Sequence, residues 1–312
     1  MNKNQVHIGE DEIDLKELFF VLWNNKTQII LITGLISIAS IFYSLSLPNI
    51  YKSQAIISSA SSSSGNLSSM VSQYSGLADM AGISIPSQGG SDKVAMGIEV
   101  IKSLSFFEKL VEKYDLFFEL QAPEGWNASD NSLLINPKIY DLQEKKWVSE
   151  DRFAKNGKPS IQKAHRDFIY NLSIDIDKKT QFVNISYQHF SPYVAKKVLD
   201  NILLEINEIS RTEDITMSQE SIKYLQKERS STQLTEVKSG INDIIQNRIE
   251  TIALAKASPE YLVKVLSDPY VPELKSLPDR KIIVILSCLL SFLFSSIFFL
   301  ARHYLGRSSL EI

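Results

Sequence analysis

The chain is poor in the residue types that most enzymatic and redox chemistry needs. Its one cysteine, Cys288, lies inside an apolar run, so the rest of the sequence has no thiol for a disulfide or a nucleophile. The four histidines, His7, His165, His189 and His303, are never closely spaced, and no metal-ligand pattern includes them. No G-x-x-x-x-G-K-[ST] phosphate loop and no G-x-S-x-G elbow occurs. Basic runs interleaved with aromatics are missing, and the net charge of −3 gives no basis for nucleic-acid binding. Acidic pairs such as Asp175/Asp177 read as solvated faces rather than as a glycosidase dyad. These absences leave no catalytic residue, no metal and no cofactor to assign.

Charge is also missing from two long stretches, and there its absence is informative. Gln28–Leu47 and Ile282–Leu300 contain no charged side chain. Each is about 20 residues, enough to cross a ~30 Å hydrocarbon layer as a helix. The first is longer than a signal-peptide core and has no small-residue cleavage site after it, because Leu47-Pro48-Asn49-Ile50-Tyr51 is bulky. It is therefore expected to be a retained anchor. Two spans put residues 1–27 and 301–312 on one side, expected to be cytoplasmic, and residues 48–281 on the other.

Before the first span, Leu15, Leu18, Phe19, Leu22 and Trp23 recur at helical spacing, with Asp14 and Glu17 at the start. Trp23 is expected at the water–lipid interface. Tyr51–Ser58 reads as a strand, and the serine- and glycine-rich stretch after it as a loop excursion. Apolar spacing from Asp92 to Leu120 predicts one or two core-packed helices. Leu172–Asp177 and Phe182–Gln188 alternate apolar and polar residues and predict a β-hairpin. No proline occurs between Pro192 and Pro259, and Gly240 is the only glycine there. Apolar residues recur every three or four positions, predicting a helix over about 192–257, roughly 95–100 Å if continuous. The pattern thins at Arg211–Gln219 and at Glu228–Ser231, where a break is the alternative. So long a stripe needs other chains or a second long helix to cover it. Tyr261–Leu266 reads as a strand able to return beside Tyr51–Ser58, and Pro269, Pro272 and Pro278 stiffen the approach to the second span.

Four segments together resemble the polysaccharide co-polymerases, the chain-length determinants of bacterial surface glycans. They are DEIDLKELFFVLWNNK (Asp11–Lys26), YKSQAIIS after the first span, SGLADMAGI (Ser75–Ile83) and VPELKSLPDRK (Val271–Lys281). Pro272 and Pro278 match the family's pre-membrane proline series, with Lys275 where another proline is common. Ser287, Ser291 and Ser295 repeat every fourth residue where the family often has glycines, and can serve close packing of the membrane helices. The resemblance implies an α+β membrane protein of the bacterial inner membrane. Two transmembrane helices would flank a periplasmic α/β base domain that carries a very long extended helix. It implies a homo-oligomer of the kinase-free branch that sets the modal length of lipopolysaccharide O antigen, a non-enzymatic scaffold. Its partners would be an O-antigen polymerase and, by weak contact, the growing polysaccharide. A capsule or exopolysaccharide export adaptor would share this topology and is the alternative. A two-span sensor would need a large output domain after Leu300, where the sequence has twelve residues.

Overall fold

The computed structural model describes residues 15–60 and 90–308. The serine- and glycine-rich run with Ser75–Ile83, and Asp14 as a helix start, lie outside them. The chain forms two compact bodies, Met1–Pro48 with Leu277–Ile312, and Asn49–Ser276.

The first body is helical. α1 (Leu15–Asn24) leads into α2 (Lys26–Ser46), and α9 (Arg280–Ser308) packs against both. α2 and α9 are each long and apolar enough to cross a membrane. Their apolar side chains are largely exposed, including Leu31, Phe42, Leu289 and Phe294, as expected of helices whose solvent is lipid.

The second body is built on a four-stranded antiparallel sheet in the order β6-β7-β1-β8. These strands are β1 (Tyr51–Ser59), β6 (Leu172–Ile176), β7 (Val183–His189) and β8 (Val263–Ser267). The predicted hairpin is β6–β7, with Ile174 opposite Ile185, and β8 does return beside β1, with Val265 opposite Ile57. One sheet face is apolar: Ala55, Ile57, Val183, Ile185 and Tyr187 are buried. The period-2 alternation that identified these strands is the pattern of a sheet buried on one side.

Helices cover that face. α3 (Gly90–Lys102), α4 (Leu104–Lys113), α5 (Phe117–Gln121) and α6 (Ile161–Asn171) supply Ile101, Phe107 with Leu110, Phe117 and Phe168, respectively, to the core. Serines start three of the helices by accepting a backbone N–H: Ser103 for α4, Ser160 for α6 and Ser191 for α7 (Pro192–Ser231). Pro192 occupies the first turn of α7, where no N–H is needed. Two small hairpins fill residues 123–147: β2 (Pro123–Asn127) with β3 (Ser132–Ile135), and β4 (Tyr140–Asp141) with β5 (Lys146–Trp147).

The helix expected over 192–257 is two helices, interrupted beside Glu228–Ser231, the second place where its apolar pattern thins, and unbroken at Arg211–Gln219. α7 ends at Ser231, and α8 runs from Thr235 to Ala257. The break follows Ser230-Ser231-Thr232, residues whose hydroxyls compete for backbone groups. Ser230 and Ser231 donate to the carbonyls of Lys227 and Glu228, Thr232 is extended, and the N–H of Leu234 bonds back to the Thr232 hydroxyl at 3.4 Å. α8 then runs back along α7 as an antiparallel hairpin, with the Arg229 guanidinium donating to Asn242 Oδ1 at 2.8 Å.

Candidate functional site

The first part of α7 lies on the sheet, where Val194, Val198, Leu199, Ile202 and Ile206 are buried. Each contributes about 1.5–3 kcal/mol by leaving water. Beyond Asn207, the rest of α7 and the whole of α8 are each about 35 Å long. Along α7 a seam of Ile215, Ser218, Ile222 and Leu225 is half-buried or buried, and Ile241, Ile245, Ile252 and Ala255 answer it on α8. Alternating spacings of three and four make this an antiparallel coiled-coil contact. A second set of apolar side chains faces outward: Met217, Tyr224, Leu234, Val237, Ile244 and Leu254 are exposed. The hairpin therefore keeps an uncovered apolar surface after its own seam is closed.

Three polar contacts fix the hairpin's root. Asn207 is buried, and its Oδ1 accepts the N–H groups of Leu262 and Val263 at 2.8 and 3.0 Å. Its Nδ2 donates to the carbonyls of Leu203 and Val263, both at 3.1 Å. One side chain thus bonds four backbone groups, three of them where the chain leaves α8 for β8 and one within α7. Next to it, buried Glu205 accepts from Lys113 Nζ at 2.6 Å and from the Tyr114 hydroxyl at 3.2 Å. The bond to Glu205 holds the Lys113 ammonium above its usual pKa, and burial raises the Tyr114 phenol. About two turns further out along α7, Asp214 accepts from the Tyr261 hydroxyl at 2.6 Å and pairs with Lys93 at 3.2 Å. Burial, then the bond to Asp214, pushes the Tyr261 phenol upward.

His189 secures the opposite end of α7. Its Nδ1 accepts the N–H of Ser191 at 3.0 Å, so its Nε2 carries the proton and donates to the Glu119 carbonyl at 3.0 Å. Burial pushes its pKa down to about 4. It lines a cleft of about 60 Å³ with Asp167, Asn171 and Tyr187. That is far below the ~300–1,000 Å³ of a small-molecule site. His165 bonds elsewhere, to the Lys102 carbonyl at 2.8 Å. Asp177 accepts the N–H groups of Lys179 and Thr180, which lowers its pKa and marks it as a turn residue. Among the described residues no group of three His, Cys, Asp or Glu could hold a metal ion.

The residues singled out in the sequence lie elsewhere. Trp23, 56% exposed near the end of α1, stacks on Phe19 at 5.8 Å, with Lys26 Nζ 4.1 Å above its ring. Pro272 is buried and Pro278 half-buried in the extended segment before α9. That segment is tied to β1 by bonds from the Ser53 hydroxyl to the Tyr270 carbonyl at 2.7 Å and from the Ser276 N–H to the Ile50 carbonyl at 2.8 Å. Ser291 and Ser295 are buried and Ser287 half-buried on one face of α9. Ser44 and Ile29 are buried on α2, and Arg280 Nε donates to the Ser44 carbonyl at 3.1 Å, satisfying a last-turn acceptor of α2. Asn207 and Glu205 were not foreseen; their signal is a polar residue at a core position of an otherwise apolar stripe.

A family model described as Wzz, chain length determinant protein, matches residues 11–114, roughly the first third of the chain. A comparison with curated proteins finds no match. Among solved structures, a full-length bacterial polysaccharide co-polymerase is similar at TM-score 0.36 and 16% identity, over 94% of this chain and 99% of that one. A fragment of WzzB, a polysaccharide co-polymerase from Salmonella Typhimurium, is similar at TM-score 0.25 and 12% identity, over 73% of this chain and 100% of that one. The family model is the finding that bears on function.

Proposed function

We propose that this chain, a member of the chain length determinant family by its residues 11–114, sets the modal length of a bacterial surface polysaccharide, O antigen of lipopolysaccharide. It acts as a non-catalytic scaffold beside the polymerase. α2 and α9 span the inner membrane, with residues 49–276 in the periplasm. Trp23 anchors the cytoplasmic interface, and the seam of Ser287, Ser291 and Ser295 allows close packing of the two spans. Pro272 and Pro278 stiffen the link to the second span.

The observation that carries this reading is the family match over α1 to α4. The uncovered apolar surface of the α7–α8 hairpin supports the oligomeric part. A scaffold acts by presenting surface, and here a surface of Met217, Tyr224, Ile244 and Leu254 remains open for another copy of the chain. Length control then follows from how many copies assemble and how they retain the polymer or the polymerase. The test is a deletion strain examined by lipopolysaccharide electrophoresis. Loss of the modal band cluster, restored by the gene, is the expected result. An unchanged distribution of O-antigen lengths together with lost capsule would favour the export adaptor.

A further inference from the structure

We infer that the base domain rests on the lipid surface through an aromatic corner formed by Tyr51, Trp126 and Tyr193. This inference rests on the membrane-spanning reading above and adds a second, peripheral contact to it. The Tyr51 and Trp126 rings meet edge to face at 5.3 Å, and Tyr193 lies 6.3 Å from Trp126. Three elements distant in sequence, the start of β1, the β2–β3 hairpin and the first turn of α7, bring these rings together. Tyr193 is 51% exposed and Tyr51 and Trp126 are half-buried, while Leu274 in the chain's return path is 84% exposed.

Chain reach identifies the surface that this corner meets. Tyr51 follows the last residue of α2, Ser46, by five residues, at most ~17 Å of extended chain at ~3.4 Å per residue. The return path is equally short: the N–H of Ser276 bonds to the carbonyl of Ile50, four residues before α9 begins. Both connections to the spans therefore leave from the corner that carries the three rings. The polar headgroup layer is ~5–8 Å deep on each side of the hydrocarbon. A connection of at most ~17 Å allows rings at this corner to reach that layer. Tyr and Trp are the residues favoured there, because an apolar ring and a polar tip suit a boundary that is dry on one side and wet on the other. The Trp126 indole N–H is already bonded to Asn131 Oδ1 at 2.8 Å. Its ring can thus enter the acyl boundary without leaving a donor unpaired.

The test uses the full chain in vesicles of phosphatidylethanolamine and phosphatidylglycerol whose acyl chains are brominated near the glycerol end. Three single-tryptophan forms are compared. The first keeps Trp126 (W23F, W147F), the second keeps Trp23 (W126F, W147F), and the third carries Leu234→Trp at the hairpin turn with all three native tryptophans replaced by Phe. Fractional quenching of Trp126 at least threefold above that of the Leu234→Trp form is expected. Quenching equal to that form, with Trp23 strongly quenched, overturns the inference while leaving the spans in place. Loss of quenching at Trp23 as well overturns the spanning reading. If W147F disturbs folding by circular dichroism, the readout becomes the drop in total quenching caused by W126F in the otherwise unchanged chain. No drop is then the contrary result.

Discussion

At the scale of single residues, the polar side chains at the two ends of α7 decide how the helix is held. His189 must be neutral to accept the Ser191 N–H, and its folded-state pKa of about 4 lies below the ordinary 6.5. The unfolded chain therefore binds a proton that the folded chain refuses. Stability is complete above about pH 6.5, falls as pH drops toward 4, and is lower by on the order of 3 kcal/mol below that. Urea midpoints of the detergent-solubilised protein between pH 7 and 4 should show this slope, and His189→Gln should flatten it. Asn207→Ala removes the side-chain partner of two buried N–H groups, those of Leu262 and Val263, and of the Val263 carbonyl, and should cost about 3 kcal/mol by the same measurement. Gly157 has φ +73°, and a Cβ there would stand 2.0 Å from the Trp147 carbonyl oxygen. Gly157→Ala should therefore lower the melting temperature, at a cost of about 2 kcal/mol or more. The Asn156-Gly157 pair reads as a turn in the sequence, whereas the roles of His189 and Asn207 were not visible there. His189 ends an alternating strand like any other residue, and Asn207 looks like a flaw in an apolar stripe until its carbonyl and amide partners are known.

At the scale of elements, the sequence was most legible where one residue's surroundings decide its class. β1, β6 and β7 were evident because a sheet buried on one face imposes a two-residue period that no other structure shares. β8 was evident from its apolar run after Pro259, and its pairing with β1 followed. The α7–α8 segment was legible as helix but not as a hairpin. A stripe of apolar residues states that something covers it and is silent on what does. Here the cover is the second half of the same segment, and the stop is written in Ser230-Ser231-Thr232 and in the thinning of the stripe at Glu228–Ser231, weak signals beside some sixty residues of helical spacing. Spin labels distinguish the two forms. Carried on Met217→Cys and Ile249→Cys, with Cys288 replaced by Ser, they should lie within about 20 Å across the hairpin, since packed helix axes are ~10 Å apart. An uninterrupted helix would separate them by about 48 Å at 1.5 Å per residue. Ser287, Ser291 and Ser295 share a face of α9 because a spacing of four residues leaves no other arrangement in a helix.

At the scale of the whole molecule, two bodies divide the work. One consists of helices with apolar exteriors, and the other of a sheet, its covering helices and the hairpin that rises from them. On the proposed function, the outward apolar residues of the hairpin serve an assembly rather than the fold. Ile244→Asp with Leu254→Asp should reduce the oligomer seen by light scattering in detergent while leaving the urea midpoint within about 0.5 kcal/mol, because exposed sites contribute little to folding. A variant that unfolded instead would assign these side chains to the monomer. The meeting of Ile50 and Ser276 carries one further consequence. The polypeptide goes into the larger body and comes out of it through a single doorway. A body with one doorway is a cassette: its outline can be exchanged against that of a related protein without altering the pair of helices on which it is mounted. On the proposed function, selection for new surface glycans can then act on the cassette while the mounting stays as it is.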